Sequence, residues 1–270
     1  MCSGIDPVEN ARQLRSLIAE AATGGATMIF TPEMSGLLDR DRSRAAKVIQ
    51  NEQTDDVLST VRAEAKKRRI WVQLGSLAIK IADDPDEKWL NRSYLINPEG
   101  EIAARYDKIH LFDVDLSPDE SLRESSAYAG GHSAVVAAIP DATLGLSICY
   151  DLRFPLLYEA LTNAGADILS IPAAFTVPTG KDHWEILLRA RAIEAGAFVV
   201  AAAQCGNHED GRATYGHSMV IDPWGEVLLD MGEENKLGFC DLDLDKIEEV
   251  RSRVPAVANR KRFELPVKPS

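Results

Sequence analysis

The residues with the most chemical promise lie at the ends of apolar runs. Cys149 sits in LGLSICYDLRFP, residues 144–155. A short strand-like run leads into it, and Asp151 to Phe154 can open a helix. A cysteine at such a joint is presented like the serine of a nucleophile elbow, and a helix N-terminus favours its thiolate. The alternative is a core cysteine, the commoner fate of a free thiol. Glu33 follows the apolar run ATMIF (26–30) and Pro32. That places it at a strand's C-terminal end, where ligands gather in α/β sheets. On position alone it could equally be a solvated loop carboxylate. Lys108, in RYDKIHLFD, is followed by Ile109, Leu111 and Phe112, which suggests a packed wall nearby. Taken alone, a lysine there reads as a surface charge.

The other reactive residues give weaker signals. Cys2 is close to the first residue, Cys240 lies in a strand pattern, and Cys205 ends the run FVVAAAQC with no helix behind it. A cysteine–histidine hydrolase is the competing arrangement. His183 and His217 are the histidines that could approach Cys149, although no spacing requires it. There is no HExxH, no CxxC and no glycine-rich nucleotide loop, so neither a metal nor a cofactor is expected. Asp113 and Asp115 lack the glycine and closing glutamate of a calcium loop.

Composition narrows the class. The chain has 270 residues, 45% of them hydrophobic, and a formal charge of −12. Such an acidic molecule is repelled by nucleic acid and by anionic membranes. The first residues, MCSGIDPVEN, lack the basic and apolar segments of a signal peptide, and no apolar run is long enough for a membrane span. Four widely spaced cysteines point to free thiols in a reducing cytoplasm.

These residues must be positioned by alternating helices and strands. Asp6-Pro7-Val8-Glu9 caps a helix with Val8, Ala11, Leu14, Leu17, Ile18 and Ala21 at helical spacing. A strand at 26–30, a helix over 44–69 and a strand at 70–79 follow. A hairpin turns at Asn97-Pro98-Glu99-Gly100. Residues 111–133 read as a long acidic loop. Strands at 134–139 and 143–148, helices at 156–163 and 182–195, and strands at 166–171 and 198–204 come next. A second hairpin spans 217–230, LGFCDLDL (237–244) is a late strand, and a short helix starts near Asp245. The order contains an echo. ATGGATMIFTPE (22–33) resembles TNAGADILSIPA (162–173), and INPEGEIA (96–103) resembles IDPWGEVL (221–228). Two similar halves in one domain over 1–270 suggest two sheets face to face with helices outside.

Together the motifs FTPEM, YDKIHLFDVD and ICYDLRFP resemble the nitrilase superfamily of carbon–nitrogen hydrolases over nearly the whole chain. HWEILLRARAIE, AAAQCG and YGHSMVIDPWGE are similar to its Nit branch. The resemblance implies a four-layer αββα sandwich that pairs into homodimers. It also implies a short first strand ahead of MCSGIDP, which is missing here. It assigns Glu33 as general base, Lys108 as oxyanion stabiliser and Cys149 as nucleophile. Glu124, in RESSAYAGG, falls at a second active-site glutamate. The implied reaction is amide hydrolysis through a thioester, first on deaminated glutathione and alternatively on 2-oxoglutaramate. A backbone N–H, taken as that of Tyr150, would assist the oxyanion. Arg153, Phe175 and Thr176 are the candidate substrate contacts. A Cys–His hydrolase and a non-catalytic binding protein are the readings from other classes.

Overall fold

The computed structural model describes residues 1–82, 85–117 and 120–264. Helix α1 (Pro7–Thr23) starts where Asp6 accepts the Val8 N–H at 2.9 Å, and its Ala11, Leu14, Ile18 and Ala21 are buried. Strand β1 (Met28–Phe30) follows, then the single-turn α2 (Arg42–Ala45) and α3 (Asp56–Arg68). The helix expected over 44–69 is thus two helices. Asn51 folds back onto the N–H groups of Gln53 and Thr54, and Asp55 caps α3 through the Leu58 N–H at 2.7 Å. Local side-chain capping defeats helix continuity there.

The first sheet runs β1, β2 (Trp71–Lys80), β3 (Trp89–Ile96), β4 (Ile102–Asp107). The region expected as a loop contains a ribbon, β5 (Asp113–Ser117) with β6 (Glu120–Arg123). One 3₁₀ turn (Glu124–Ser126) and β7 (Tyr128–Ala129), which pairs with β3, follow it. The second sheet uses β8 (Val135–Ile139), β9 (Ala142–Leu146), β10 (Ile168–Ser170) and β11 (Phe198–Ala201). Helices α4 (Pro155–Asn163) and α5 (Val177–Ala195) lie between its strands in sequence. After a ribbon of β12 (Cys205–Asn207) and β13 (Ala213–Tyr215), β14 (Met219–Ile221) and β15 (Val227–Asp230) complete it, in the order β15-β14-β11-β10-β9-β8. Helix α6 (Asp245–Arg253) follows. Residues 237–244 form no strand. Leu237, Cys240, Leu242 and Leu244 pack against the cores from an extended segment without a ladder.

Packing gives the four layers. Ile29, Val72, Tyr94 and Ile96 face α1 and α3 in one apolar cluster. Their neighbours Met28, Phe30, Trp71 and Leu95 point the other way and join a second cluster with Leu144, Leu146, α4 and α5. This alternation is the two-residue period of strands, with helices outside and two sheets inside.

The echo in the sequence is an echo in topology. β1 is parallel to β2, which is antiparallel to β3, and β3 to β4. β10, β11, β14 and β15 repeat that pattern. The halves differ at one edge. β10 is also paired with β9, whereas β1 has a partner on one side only among the described residues, and residues 1–6 form no strand.

Candidate active site

Glu33 projects from the turn after β1. Thr31 stays beside β2 through its N–H to Gln73 O at 3.0 Å. A Cβ on Gly75 would lie 2.1 Å from Thr31 O, so only glycine allows this approach. Met34 takes φ +55°, and its N–H is held by Ser76 Oγ at 2.9 Å. Gln204 Nε2 donates to Glu33 O at 2.9 Å from the other half of the molecule. The carboxylate, 4% exposed, accepts from Ala174 N–H at 2.9 Å, Asn91 Nδ2 at 2.9 Å and Lys108 Nζ at 2.8 Å.

Lys108 follows β4 and is equally buried. Its N–H donates to Asn91 O at 3.0 Å and its carbonyl accepts from Gly131 at 2.8 Å. A Cβ on Gly131 would sit 2.2 Å from Asp107 O. The ammonium thus lies between Glu33 and Glu124, whose oxygens are 2.9 and 3.1 Å away. Glu124 stands on the 3₁₀ turn and also accepts from Phe112 N–H at 2.7 Å and Asn91 Nδ2 at 3.1 Å. Arg42 secures that turn by donating to Ser126 O at 2.7 Å and to Arg123 O at 3.3 Å.

Cys149 takes φ +50°, an elbow, and its N–H is tied to Pro172 O at 2.8 Å. Strain of this kind costs on the order of 1–3 kcal/mol and needs surrounding support. Asp151, fully buried, supplies it. Its carboxylate accepts from Ile148 N–H at 2.9 Å, Tyr106 Oη at 2.7 Å, His110 N–H at 3.0 Å and His110 Nδ1 at 2.7 Å. One side chain therefore joins the Cys149 turn to the Lys108 segment.

The expected thiolate is not what this environment favours. Only a five-residue 3₁₀ turn (Cys149–Arg153) follows the strand, and α4 begins at Pro155, so no long helix points its positive end at the sulfur. Burial, followed by the Glu33 carboxylate, pushes the Cys149 thiol well above its ordinary range, and Lys108 only partly offsets them. Burial also raises the Glu33 carboxyl, but the Lys108 charge and its hydrogen bond outweigh this and hold it below the ordinary glutamate range. For Lys108, burial works against the charge, and Glu124 and Glu33 overcome it, so the ammonium persists. The resting set is a neutral thiol in the same cavity as an ionised carboxylate and a fixed cation. Such a set suits nucleophilic attack coupled to proton transfer, with the developing oxyanion met by charge.

Glu33, Lys108, Glu124 and Cys149 line one cavity of 230 Å³. Tyr150, Phe175 and Thr176 are also in its wall. The Tyr150 N–H has no hydrogen-bond partner among the described residues, whereas that of Cys149 is taken. Arg153 is not in the wall. Its guanidinium lies 5.5 Å from the Phe175 ring centroid, and its Nη2 is 3.3 Å from His183 Nδ1. Asn91 and Asp151 escaped the sequence reading. The alternation of β3 carried the signal for Asn91, since it shares a face with Ser93 and the core residue Leu95. Among the described residues no histidine hydrogen-bonds Cys149. Cys2 approaches His208 at 3.6 Å, but Nδ1 there is 2.9 Å from the Ser3 carbonyl and must donate to it, while Nε2 is 2.8 Å from Thr214 Oγ1. Neither nitrogen is free to act as base.

Comparison with known proteins agrees with this geometry. Residues 3–252 match the family model described as carbon-nitrogen hydrolase. A deaminated glutathione amidase of Dictyostelium discoideum is 41% identical over 94% of this chain and 89% of its own length. The crystal structure of the C. elegans NitFhit protein superposes with a TM-score of 0.89 at 37% identity, covering 97% of this chain. This chain spans 63% of that longer protein. A Nesterenkonia amidase, 27% identical with a TM-score of 0.76 over 94% of this chain and 95% of its own, was captured with acrylamide added at its active-site cysteine. The chain belongs to the carbon–nitrogen hydrolase family of the nitrilase superfamily, in its Nit branch, and is a hydrolase acting on amides.

Proposed function

We propose that the chain hydrolyses deaminated glutathione, releasing 2-oxoglutarate and cysteinylglycine. The observation that carries this reading is the buried Cys149–Glu33–Lys108–Glu124 set beneath a cationic wall. Five cations and three carboxylates line the cavity of a molecule whose net charge is −12. A substrate with a carboxylate suits that wall. The relatives named for this activity supply the rest of the argument.

In the proposed cycle Glu33 accepts the thiol proton as Cys149 attacks the amide carbon. Lys108 and the Tyr150 N–H stabilise the oxyanion, and loss of such a donor costs about 2.7–4 kcal/mol. Glu33 returns the proton to the leaving amine and then activates the water that cleaves the thioester. Glu124 anchors the ammonium. Phe175 and Thr176 shape the acyl pocket. Leu122, Arg123 and Arg212 also line the cavity, and a leaving dipeptide would project along them. No metal or cofactor enters this scheme.

The cavity volume favours a second reading. At 230 Å³ it is below the roughly 300 Å³ at which ligand pockets ordinarily begin, which suits the smaller 2-oxoglutaramate. Release of 2-oxoglutarate from both amides, measured as kcat/KM, decides between them. A ratio favouring deaminated glutathione supports the first reading. The opposite ratio supports an omega-amidase, and turnover of nitriles alone rejects both.

The setting is also part of the proposal. All four cysteines are free, as suits the reducing cytoplasm. No helix of the described residues is long and apolar enough to cross a membrane. The exposed apolar residues Leu156 on α4 and Ile186 and Ile193 on α5 support pairing of two chains through that layer.

A further inference from the structure

The cationic wall of the cavity is not uniform. Lys108 is engaged by Glu33 and Glu124. Arg212 is held by Asp210 at 2.6 Å, and Arg123 by Asp115 at 2.6 Å. Arg42 spends its hydrogen bonds on the Glu124 turn, through neutral oxygens. Arg40 is different. It is exposed and lines the same cavity as Cys149, and its guanidinium has neither an ion-pair nor a hydrogen-bond partner among the described residues.

An exposed arginine on a loose loop would need no explanation. This one stands on a fixed base. Its N–H donates to Asp210 Oδ2 at 2.9 Å, and that carboxylate is itself buried and bound to Arg212. The preceding residue, Asp39, has a fully buried side chain held by Arg44 at 2.7 Å through two hydrogen bonds. Leu38 donates to Gly4 O at 3.1 Å, and Met34, Leu37 and Leu38 are buried. The backbone is thus anchored on both sides of a free guanidinium. Arg42, two residues on, adds a charge that no carboxylate balances among the described residues. Together they add two positive charges to the lining of the cavity that holds the net-negative Glu33–Lys108–Glu124 set.

We propose that Arg40 is the carboxylate-binding residue of this cavity, selecting amides whose acyl part carries an anionic end. The inference rests on the reading of an anionic substrate above and names the residue that enforces it. Guanidinium is suited to the task because its planar fork meets a carboxylate through two parallel hydrogen bonds, which an ammonium cannot do.

The test compares 2-oxoglutaramate with pentanamide, a neutral amide of the same chain length, in the wild type, Arg40→Met, Arg40→Lys and Arg15→Met. Arg15 lies on α1 outside the cavity and controls for the change in net charge. Arg40→Met should lower the ratio of kcat/KM for the anionic to the neutral amide by about 10- to 100-fold, the scale of a lost hydrogen bond to a charged group. Arg40→Lys should restore part of the ratio, and Arg15→Met should leave it unchanged. A wild-type preference that Arg40→Met and Arg40→Lys both retain overturns the assignment of Arg40 and leaves the substrate reading intact. A wild type with no preference for the anionic amide overturns the substrate reading itself, and Arg40 with it.

Discussion

Cys149 and Glu33 are best understood as one titrating unit. The sulfur is buried and faces a carboxylate, so it rests as a thiol. The carboxylate faces Lys108, so it rests as an anion. In the proposed cycle activity depends on Glu33 being ionised, and the Lys108 charge favours that state. The sign can be worked out. A carboxyl held below its ordinary value loses its charge only under acid conditions, so kcat/KM should show no acid fall until pH drops below about 4.3. The raised thiol and the raised ammonium predict no inflection near the ordinary thiol value of about 8.5. Lys108→Met removes the ammonium and leaves burial opposed only by the hydrogen bonds to Glu33, such as those from Asn91 and Ala174. The acid limb should then move upward in pH, while the plateau falls by at least about two decades from loss of the oxyanion donor. A pH–rate profile of the variant with an unmoved acid limb would show that Lys108 does not govern Glu33. Cys149→Ala should abolish turnover in a folded protein, and Cys205→Ala should not. Activity surviving in the first variant would remove Cys149 from the mechanism.

At the scale of elements, the site exists because two sheets meet with their functional turns in register. Glu33 and Lys108 come from the first sheet, and Cys149 and Ala174 from the second. Asp151 ties the two, with Tyr106 and His110 on one side and the Ile148–Cys149 turn on the other. Asp151→Asn keeps the shape and removes the charge that organises four donors. It should reduce kcat by about 100-fold with little change in KM, because a shift of roughly 1 Å between nucleophile and lysine is enough for that loss. Tyr106→Phe removes a single donor and should cost less. An undiminished kcat in Asp151→Asn would show that backbone packing alone holds the elbow.

The same tie explains what was legible in the sequence. Glu33 and Cys149 end apolar runs that read as strands, and the paired TPE and IPA segments announced the repeat. Glu124 was visible only through the family resemblance, because its 3₁₀ turn has no periodicity. The β5–β6 ribbon was hidden for a related reason. It pairs only with itself, outside both sheets, and Asp113 and Asp115 are poor strand formers. The segment 237–244 failed in the opposite sense. Its Cys240, Leu242 and Leu244 alternate because they dock on a core, not because a ladder pairs them. Asp151 could not be singled out from its neighbours, since its four donors sit on three residues, two of them in a stretch more than 40 residues away.

At the scale of the molecule, the outer face of α5 remains to be accounted for. Ile186 and Ile193 are seven residues apart, so they share one side of the helix, and they are 68% and 52% exposed. Leu156, on the neighbouring α4, is 77% exposed. Isolated apolar residues on a surface are ordinary, but three on two adjoining helices make this layer a candidate interface. A self-complementary pairing about a two-fold axis would cover it. The helix is also functional, because it starts at Val177, directly after Phe175 and Thr176 in the cavity wall. Sedimentation should therefore find the wild type as a dimer, consistent with an interface of about 1,600 Å². The double variant Ile186→Glu/Ile193→Glu should sediment as a monomer, because the carboxylates would face one another across the axis. Its KM should rise more than its kcat falls, since the partner steadies the helix that carries the acyl-pocket wall and not the Cys149 turn. A monomeric wild type, or a double variant that still pairs, would place the interface elsewhere.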